Sequence, residues 1–400
     1  MPDSAWRNIA FDEAALRPDL QARVRAGLAA GPLCDHCLGR LLAGVGTGMA
    51  NEARGRILRR VLEAGPPPPE CTLCHNLFDA LGEWMVRAKE VLAGWEFATF
   101  AVSSRADPAL AAREEAVHAL SGPDLAEPYK QEFNRLLGIR LCKEAGLTAD
   151  PAAPDITVMV HHATGRVTVD VKSLFLCGRY RKLVRGLPQC RWRAWETSIE
   201  QIVGEPISQA AAGRTYALHG CGREDTDVRC LGERPFVLEV RRPRRRRLDL
   251  ADLAAGINAD GRVEVLGLEP CAREAVARLK ELHPDKSYRA LARLADDVDA
   301  ARCERLAGLV GVISQQTPVR VLKRRTDLVR RRRVLALQWR LLDARTLELT
   351  VRAQAGTYIK ELVSSDGGRT TPSVAEVLGT AAECAELDVV AIHADQPPTR

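Results

Sequence analysis

Aromatic residues are scarce in this chain of 400 residues: Phe, Trp and Tyr together make up 4%. Each one therefore has to be weighed individually as core or site. Long apolar runs are also missing. No stretch approaches ~18 uninterrupted apolar residues, which excludes a helical membrane span. Residues 1–12 lack the basic stretch and apolar run of a secretory signal, so a cytoplasmic location is expected. Twelve cysteines in 400 residues are too few for a disulfide scaffold. In a reducing compartment, clustered cysteines are read as metal ligands before disulfides. What is present is ordinary globular material, 46% hydrophobic and 28% charged, enough to build sizeable cores. At ~100–200 residues per domain, the length suggests two or three domains.

The net charge of +6 says little until it is placed. Between Arg241 and Arg333 stand 23 basic and 13 acidic residues, an excess of ten, so the rest of the chain carries −4. Two clusters dominate. Arg241 to Arg247 holds six arginines in seven residues, and Lys323 to Arg333 holds seven basic residues and one acid. A cluster of three would read as a solvated face. Two dense clusters in the positive segment read as a polyanion-facing surface, with Arg244, Arg245, Arg246, Lys323, Arg324 and Arg325 as candidate contacts.

The pattern predicts helices over the first 30 residues, Met49–Glu63, Phe78–Ala93, Arg113–Leu120 and Tyr129–Ala145. A strand is expected at Trp95–Ser103, and a hairpin at Ile156–His161 and Arg166–Val171 around Ala163-Thr164-Gly165. Further on, strands are expected at Pro235–Val240, Arg262–Leu268, Val334–Leu342 and Thr346–Gln354. Helices are expected at Ile199–Ala211, Asp249–Ala259, Ala272–Leu282 and Ser373–Gly379. No internal repeat is visible.

Cys34-Asp35-His36-Cys37 and Cys71-Thr72-Leu73-Cys74 form two Cys-x-x-Cys pairs. Zinc takes a tetrahedron of soft or borderline ligands, and two such turns supply four thiolates. A closed site of this kind leaves no place for water, so one structural zinc ion on Cys34, Cys37, Cys71 and Cys74 is expected. A helix fills the 33 residues between the pairs. His36 and His75 adjoin the ligands without joining them.

Gly222-Arg223-Glu224-Asp225-Thr226-Asp227-Val228-Arg229 packs three acids and two arginines into the seven residues after its glycine. A solvated charged loop is the bland reading. The permissive His219-Gly220-Cys221-Gly222 before it, and a strand soon after, favour an acid placed in a cleft and paired with a base.

Arg223-Glu224-Asp225 resembles the Arg-x-Asp signature around the catalytic aspartate of pseudouridine synthases. The longer string, with Gly232 and Arg234-Pro235-Phe236, resembles the archaeal and eukaryotic tRNA pseudouridine(54/55) synthase family. The same family is matched by Leu33 to Arg40, Gly178 to Leu183, Arg185 to Gln189, Gln316 to Leu322, and Gly356-Thr357-Tyr358-Ile359-Lys360-Glu361-Leu362. The resemblance runs from about residue 31 to 380. It implies an isomerase that converts uridines 54 and 55 of the tRNA T-loop to pseudouridine, without an organic cofactor.

By that resemblance Asp225 is the catalytic carboxylate, Lys360 its basic partner, Tyr288 the platform that stacks on the uracil, and Leu362 the residue beneath the base. The string before Lys360 reads as a strand running into a helix. Tyr358 is a wall of the pocket or core, Arg223 a phosphate contact or a loop support, and Asp227 structural or a support behind the reacting groups. Arg179, Arg181 and Lys182 lie in a third basic stretch resembling the end of a THUMP-type RNA-binding module, which is expected to engage the tRNA acceptor region.

The expected class is α+β. Residues 1–93 would be a helical region with the zinc knuckle, 94–195 a THUMP-like module, and 196–400 a synthase domain with a mixed, largely antiparallel sheet. The expected partner is tRNA, with no membrane and no obligate protein partner. The alternative is a non-catalytic tRNA-binding protein on the same scaffold, which would not need Asp225, Tyr288 and Lys360 together. A THUMP-containing methyltransferase or thiolation enzyme would need a Gly-rich nucleotide loop, and the sequence has none.

Overall fold

The computed structural model describes residues 11, 16–46, 48–192 and 194–394. The chain divides into two compact units, residues 1–172 and 173–400. The first contains α1 (Pro18–Leu28), α2 (Asp35–Arg40), α3 (Asn51–Val61), α4 (Leu81–Leu92), β1 (Thr99–Arg105), α5 (Pro108–Ser121), α6 (Tyr129–Ala145), β2 (Thr148–Ala149), β3 (Ile156–His161) and β4 (Arg166–Val171). The helix expected over the first 30 residues is α1; residues 1–10 and 12–15 lie outside the described residues.

Spacing by four places Phe133, Leu137 and Leu141 of α6 on one fully buried stripe, which packs on β1. Gly146, left-handed at φ 64°, ends that helix. Alternation buries Ile156, Val158 and Val160 of β3, and the β3–β4 hairpin forms as its β-branched runs predict. The sheet order is β2-β1-β3-β4, with β1 parallel to both neighbours. Helices α2 and α3 touch through glycine. A Cβ on Gly39 would sit 1.9 Å from the Asn51 carbonyl oxygen, and one on Gly55 1.9 Å from that of Asp35. Only glycine lets the backbone beside the first cysteine pair come this close.

The second unit contains β5 (Leu174–Lys182), α7 (Ile199–Ala210), β6 (Thr215–Gly220), β7 (Arg229–Arg241), α8 (Leu250–Asn258), β8 (Val263–Pro270), α9 (Glu274–Glu281), β9 (Asp285–Leu294), α10 (Ala300–Cys303), β10 (Gly311–Gln316), β11 (Val329–Asp343), β12 (Thr346–Ala353), α11 (Ile359–Ser364), β13 (Thr370–Thr371), α12 (Val374–Leu378) and β14 (Ala382–His393). Its sheet runs β13-β10-β11-β12-β9-β14-β7-β5-β8, with β6 also on β7. Within this sheet only the short β14–β7 pairing is parallel among the described residues, so the sheet is mixed and largely antiparallel. One apolar cluster joins β9, β12 and β14 to α11 and α12, and another joins β5 and β7 to α7. No helix among the described residues is long and apolar enough to cross a membrane.

The expected division at residue 195 moves to 172. Strand β5 pairs with β7 on one side and β8 on the other, so Gly178 to Lys182 belongs to the larger sheet and does not close the THUMP-like module. Leu176 and Tyr180 bury against α7 and β7, a strand role that the neighbouring basic residues disguised. Strands β9, β10 and β14 went unread. In β9 the inward positions include Ala290 and Ala292, whose small side chains flatten the alternation.

Candidate active site and metal centre

The loop carrying the acidic motif joins β6 to β7, which pair as a hairpin. Gly222 turns it at φ 73°. Glu224 does not face solvent: its carboxylate meets Arg234 of β7 at 2.9 Å, and both side chains are all but fully buried. The Tyr180 hydroxyl donates to Glu224 at 3.3 Å, and the Arg234 guanidinium donates to the Cys221 carbonyl at 2.8 Å.

The loop backbone is held carbonyl by carbonyl. The Gln189 amide donates to Gly222 O at 3.0 Å, and Lys182 Nζ donates to Asp225 O at 3.2 Å and Thr226 O at 2.8 Å. Gly186 N donates to Thr226 O at 2.8 Å, and Arg185 to Asp227 O at 3.0 Å. Arg185 is itself gripped by Asp388, which also binds Arg229 and Arg289. Burial favours the neutral form of Asp388, but the three guanidiniums outweigh it and hold the carboxyl below the usual range.

Lys182 is thus a correction. Expected on the RNA surface, it is fully buried and serves the loop. Burial pushes its ammonium down to about 8. The unfolded chain titrates it near ~10.4, so between those values the unfolded chain binds more protons and stability rises with pH. Lys182→Met removes that contribution. The melting-temperature difference, wild type minus variant, is expected to widen from about pH 7 to about pH 10, and a constant difference would refute it.

The Asp225 side chain is left 42% exposed on this fixed loop. Its Oδ2 receives Arg320 Nη1 at 2.8 Å and lies 3.8 Å from Lys360 Nζ. Its Oδ1 accepts no hydrogen bond from the described residues, which leaves one oxygen open to a substrate. Lys360 therefore lies within reach of Asp225, but its nearest carboxylate is Asp227, at 2.6 Å. Burial favours the neutral acid at Asp227, and the hydrogen bond and charge of Lys360 outweigh it, so that carboxyl is lowered.

The close partner of Asp225 is a residue the sequence reading missed. Arg320, on the 3-10 turn Val319–Val321, spans two carboxylates: Nη1 to Asp225, and Nε to Glu361 Oε1 at 2.7 Å. Glu361 is 4% exposed, so the guanidinium is anchored from behind. Burial opposes its charge, but Glu361 and Asp225 raise its pKa and keep it a cation.

Lys360 sits one residue inside α11, not at a strand end. β12 stops at Ala353, and Gly356, at φ 78°, turns the chain into the helix. The buried Gln315 amide of β10 fixes this turn by donating to Tyr358 O and accepting from Tyr358 N, both at 2.9 Å. Tyr358 is half-buried, with the Arg320 guanidinium 6.0 Å over its ring. Tyr288 lies mid-strand in β9, paired with Val351 and Val389. It is 9% exposed and shares one apolar cluster with Leu362, Val228 and Cys230. Burial pushes its phenol up to about 12.

Arg223 is exposed and hydrogen-bonds to none of the described residues. Lys323, Arg324 and Arg325 follow the Arg320 turn directly, with Arg324 N and Arg325 N donating to Val321 O. Arg244, Arg245 and Arg246 follow the far end of β7, beyond Arg241, whereas the acidic loop meets that strand at Arg234 and Pro235. Arg179 and Arg181 are ion-paired, Arg179 with Glu233 at 3.1 Å and Arg181 with Glu233 at 2.7 Å and Glu264 at 3.0 Å.

In the other unit the four cysteines converge. One sulfur each of Cys34, Cys37, Cys71 and Cys74 lie within 4.8 Å of one another. Cys34 and Cys74 Sγ are 3.7 Å apart, close to the ~3.8 Å edge of a tetrahedron with ~2.3 Å metal–sulfur bonds. Three of the four are buried, and Arg40 donates to Cys37 Sγ at 3.3 Å. The cluster fits a metal ion. His36 turns away from it, stacking on Phe78 and bonding Glu132 at 2.9 Å.

Comparison with known proteins bears on both units. Residues 175–393 match the family model "Pus10, C-terminal", and residues 84–161 match "Pus10 THUMP domain, archaeal". The tRNA pseudouridine synthase Pus10 of Pyrococcus furiosus is 38% identical over 371 residues, 91% of this chain and 95% of that one. Those of Methanothrix thermoacetophila and Halorubrum lacusprofundi are 36% and 37% identical, covering 90% and 92% of this chain and 91% and 95% of their own. Among solved structures, a chain of a Cbf5-Nop10-Gar1 complex aligns at 20% identity with a TM-score of 0.32, over 52% of this chain and 47% of its own.

Proposed function

Because the chain belongs to the Pus10 family of tRNA pseudouridine synthases, we propose that it isomerises uridines 54 and 55 of the tRNA T-loop, with Asp225 as the catalytic carboxylate. The reaction breaks the C1′–N1 glycosidic bond, turns the uracil and rejoins it through C5. C5 loses its proton and N1 gains one, so neither an oxidant nor an energy source is required. The reaction needs a carboxylate beside the sugar, a hold on the freed base and exclusion of water.

One observation carries the assignment. Asp225 is held through Oδ2 by Arg320, with Lys360 near, while Oδ1 stays open on a loop whose backbone is fixed. Tyr288 and Leu362 supply an apolar floor for the base, and Tyr358 a wall. Lys323, Arg324 and Arg325 receive the backbone phosphates, and Arg223 contacts a phosphate at the loop. The N-terminal unit, with its THUMP domain, engages the acceptor region.

The test is tritium release from tRNA labelled at uracil C5, since joining carbon to carbon must expel that hydrogen. Wild type is expected to release label from transcripts with uridine at 54 and 55 and none when both are cytidine. Release that ignores those positions would refute the site assignment. A T-arm stem–loop without the acceptor stem should bind less tightly than whole tRNA, and equal binding would refute the acceptor contact.

The ion on the four cysteines is a single structural zinc. Four thiolates close its coordination and tie α2 to the turn before α4. Native mass spectrometry should show one bound zinc, and its removal by chelator should lower the melting temperature of the N-terminal unit. A metal-free protein of unchanged stability would refute this.

A further inference from the structure

The segment between β5 and α7 reads Arg191-Trp192-Arg193-Ala194-Trp195, two tryptophans beside two arginines. In a chain so poor in aromatics, both indoles are left open: Trp192 is 50% exposed and Trp195 42%. A large apolar ring held in water next to cations forgoes the burial that stabilises its counterparts, and such exposure marks a binding surface.

The placement of Trp192 says what binds there. Its own segment is tied to the catalytic loop on either side of Asp225, through Gln189 to Gly222 O and through Gly186 N to Thr226 O. Across from it, the Arg324 guanidinium lies 4.3 Å over the indole. Arg324 follows Arg320 by four residues, on a turn closed by Arg324 N donating to Val321 O at 2.9 Å. One turn thus sends Arg320 to Asp225 and Arg324 to Trp192. The open indole stands at the rim of the site, covered by one arginine, where single-stranded RNA would enter. Aromatic faces beside arginines are what unstacked bases and their phosphates engage.

We propose that Trp192 is a base-stacking platform for a T-loop nucleotide next to the isomerised uridine. On binding, Arg324 leaves the indole for the adjoining phosphate. The exchange is favourable because a cation over an exposed ring is weakly held, whereas base–aromatic stacking and an arginine–phosphate pair are stronger. This rests on the reading of tRNA as substrate.

The test measures affinity of the full-length protein for a fluorescent T-arm stem–loop, with Trp192→Ala, Trp192→Phe and wild type. The same RNA is then made abasic at each loop nucleotide in turn. Trp192→Ala should weaken binding roughly five- to 150-fold, and Trp192→Phe should retain most of it. With one particular abasic RNA, wild type and Trp192→Ala should bind alike, which identifies the stacked nucleotide. Unchanged binding by Trp192→Ala would overturn the proposal. A loss that persists equally on every abasic RNA would overturn it too, since a misplaced segment would act that way. Failure of wild type to bind the stem–loop or whole tRNA would instead overturn the reading of tRNA as substrate, and this proposal with it.

Discussion

Asp225→Asn is expected to end tritium release from C5-labelled tRNA, while tRNA affinity stays within a few-fold of wild type. The substitution keeps shape and removes charge. Asparagine Oδ1 can still accept from Arg320, and the loop around it is held by bonds to the carbonyls of Gly222, Asp225, Thr226 and Asp227, none of which the side chain supplies. What vanishes is the anion that Oδ1 presents to the sugar. The region also becomes more positive by one charge, with Lys360 still on Asp227 and Arg320 still on Glu361, so binding of a polyanion does not suffer. Release at the wild-type rate would move the chemistry to another group. No release by wild type, with binding intact, would favour a binding protein on the same scaffold.

The sequence exposes those features whose signal is local. Two Cys-x-x-Cys turns announce a metal-binding cluster because each pair chelates from within four residues, and the sulfurs do converge. The β3–β4 hairpin and α6 follow from periodicity alone. The Arg223-Glu224-Asp225 string marks the loop, but not that its middle residue is a buried anchor on Arg234. What stays hidden is what distant chain segments supply. Arg320 lies 95 residues from Asp225, within a matched string that assigns it no role. Gln315 shows nothing in sequence, yet its amide sets the start of α11 and hence the place of Lys360. Charge clusters mislead in the other direction. Arg179 to Lys182 spell a basic patch, but a strand between two others spends them on Glu233, Glu264 and the loop backbone. Arg244 to Arg246 spell another, which follows the end of β7 and is not part of the Asp225 loop.

Arg320→Met is expected to lower kcat roughly 100-fold, the scale seen when one charged partner of a reacting group is removed, with KM changed far less. The guanidinium fork meets Asp225 with one nitrogen and Glu361 with another, so it fixes the orientation of Oδ2 and places a positive charge beside it. Lys360 cannot replace it, because its ammonium is 3.8 Å from Asp225 and committed to Asp227. A lysine at position 320 is a point charge without the fork, and should recover only part of the loss. Methionine alone confounds two effects, since it also strands Glu361 as a buried, unpaired carboxylate, a defect that costs about 3–5 kcal/mol of stability. Pairing it with Glu361→Gln separates them. The double variant should regain most of the melting temperature and little of the kcat, because the neutral amide no longer needs a cation while Asp225 still lacks one. A double variant with wild-type kcat would confine Arg320 to holding Glu361, and would leave Lys360 as the cation that serves Asp225.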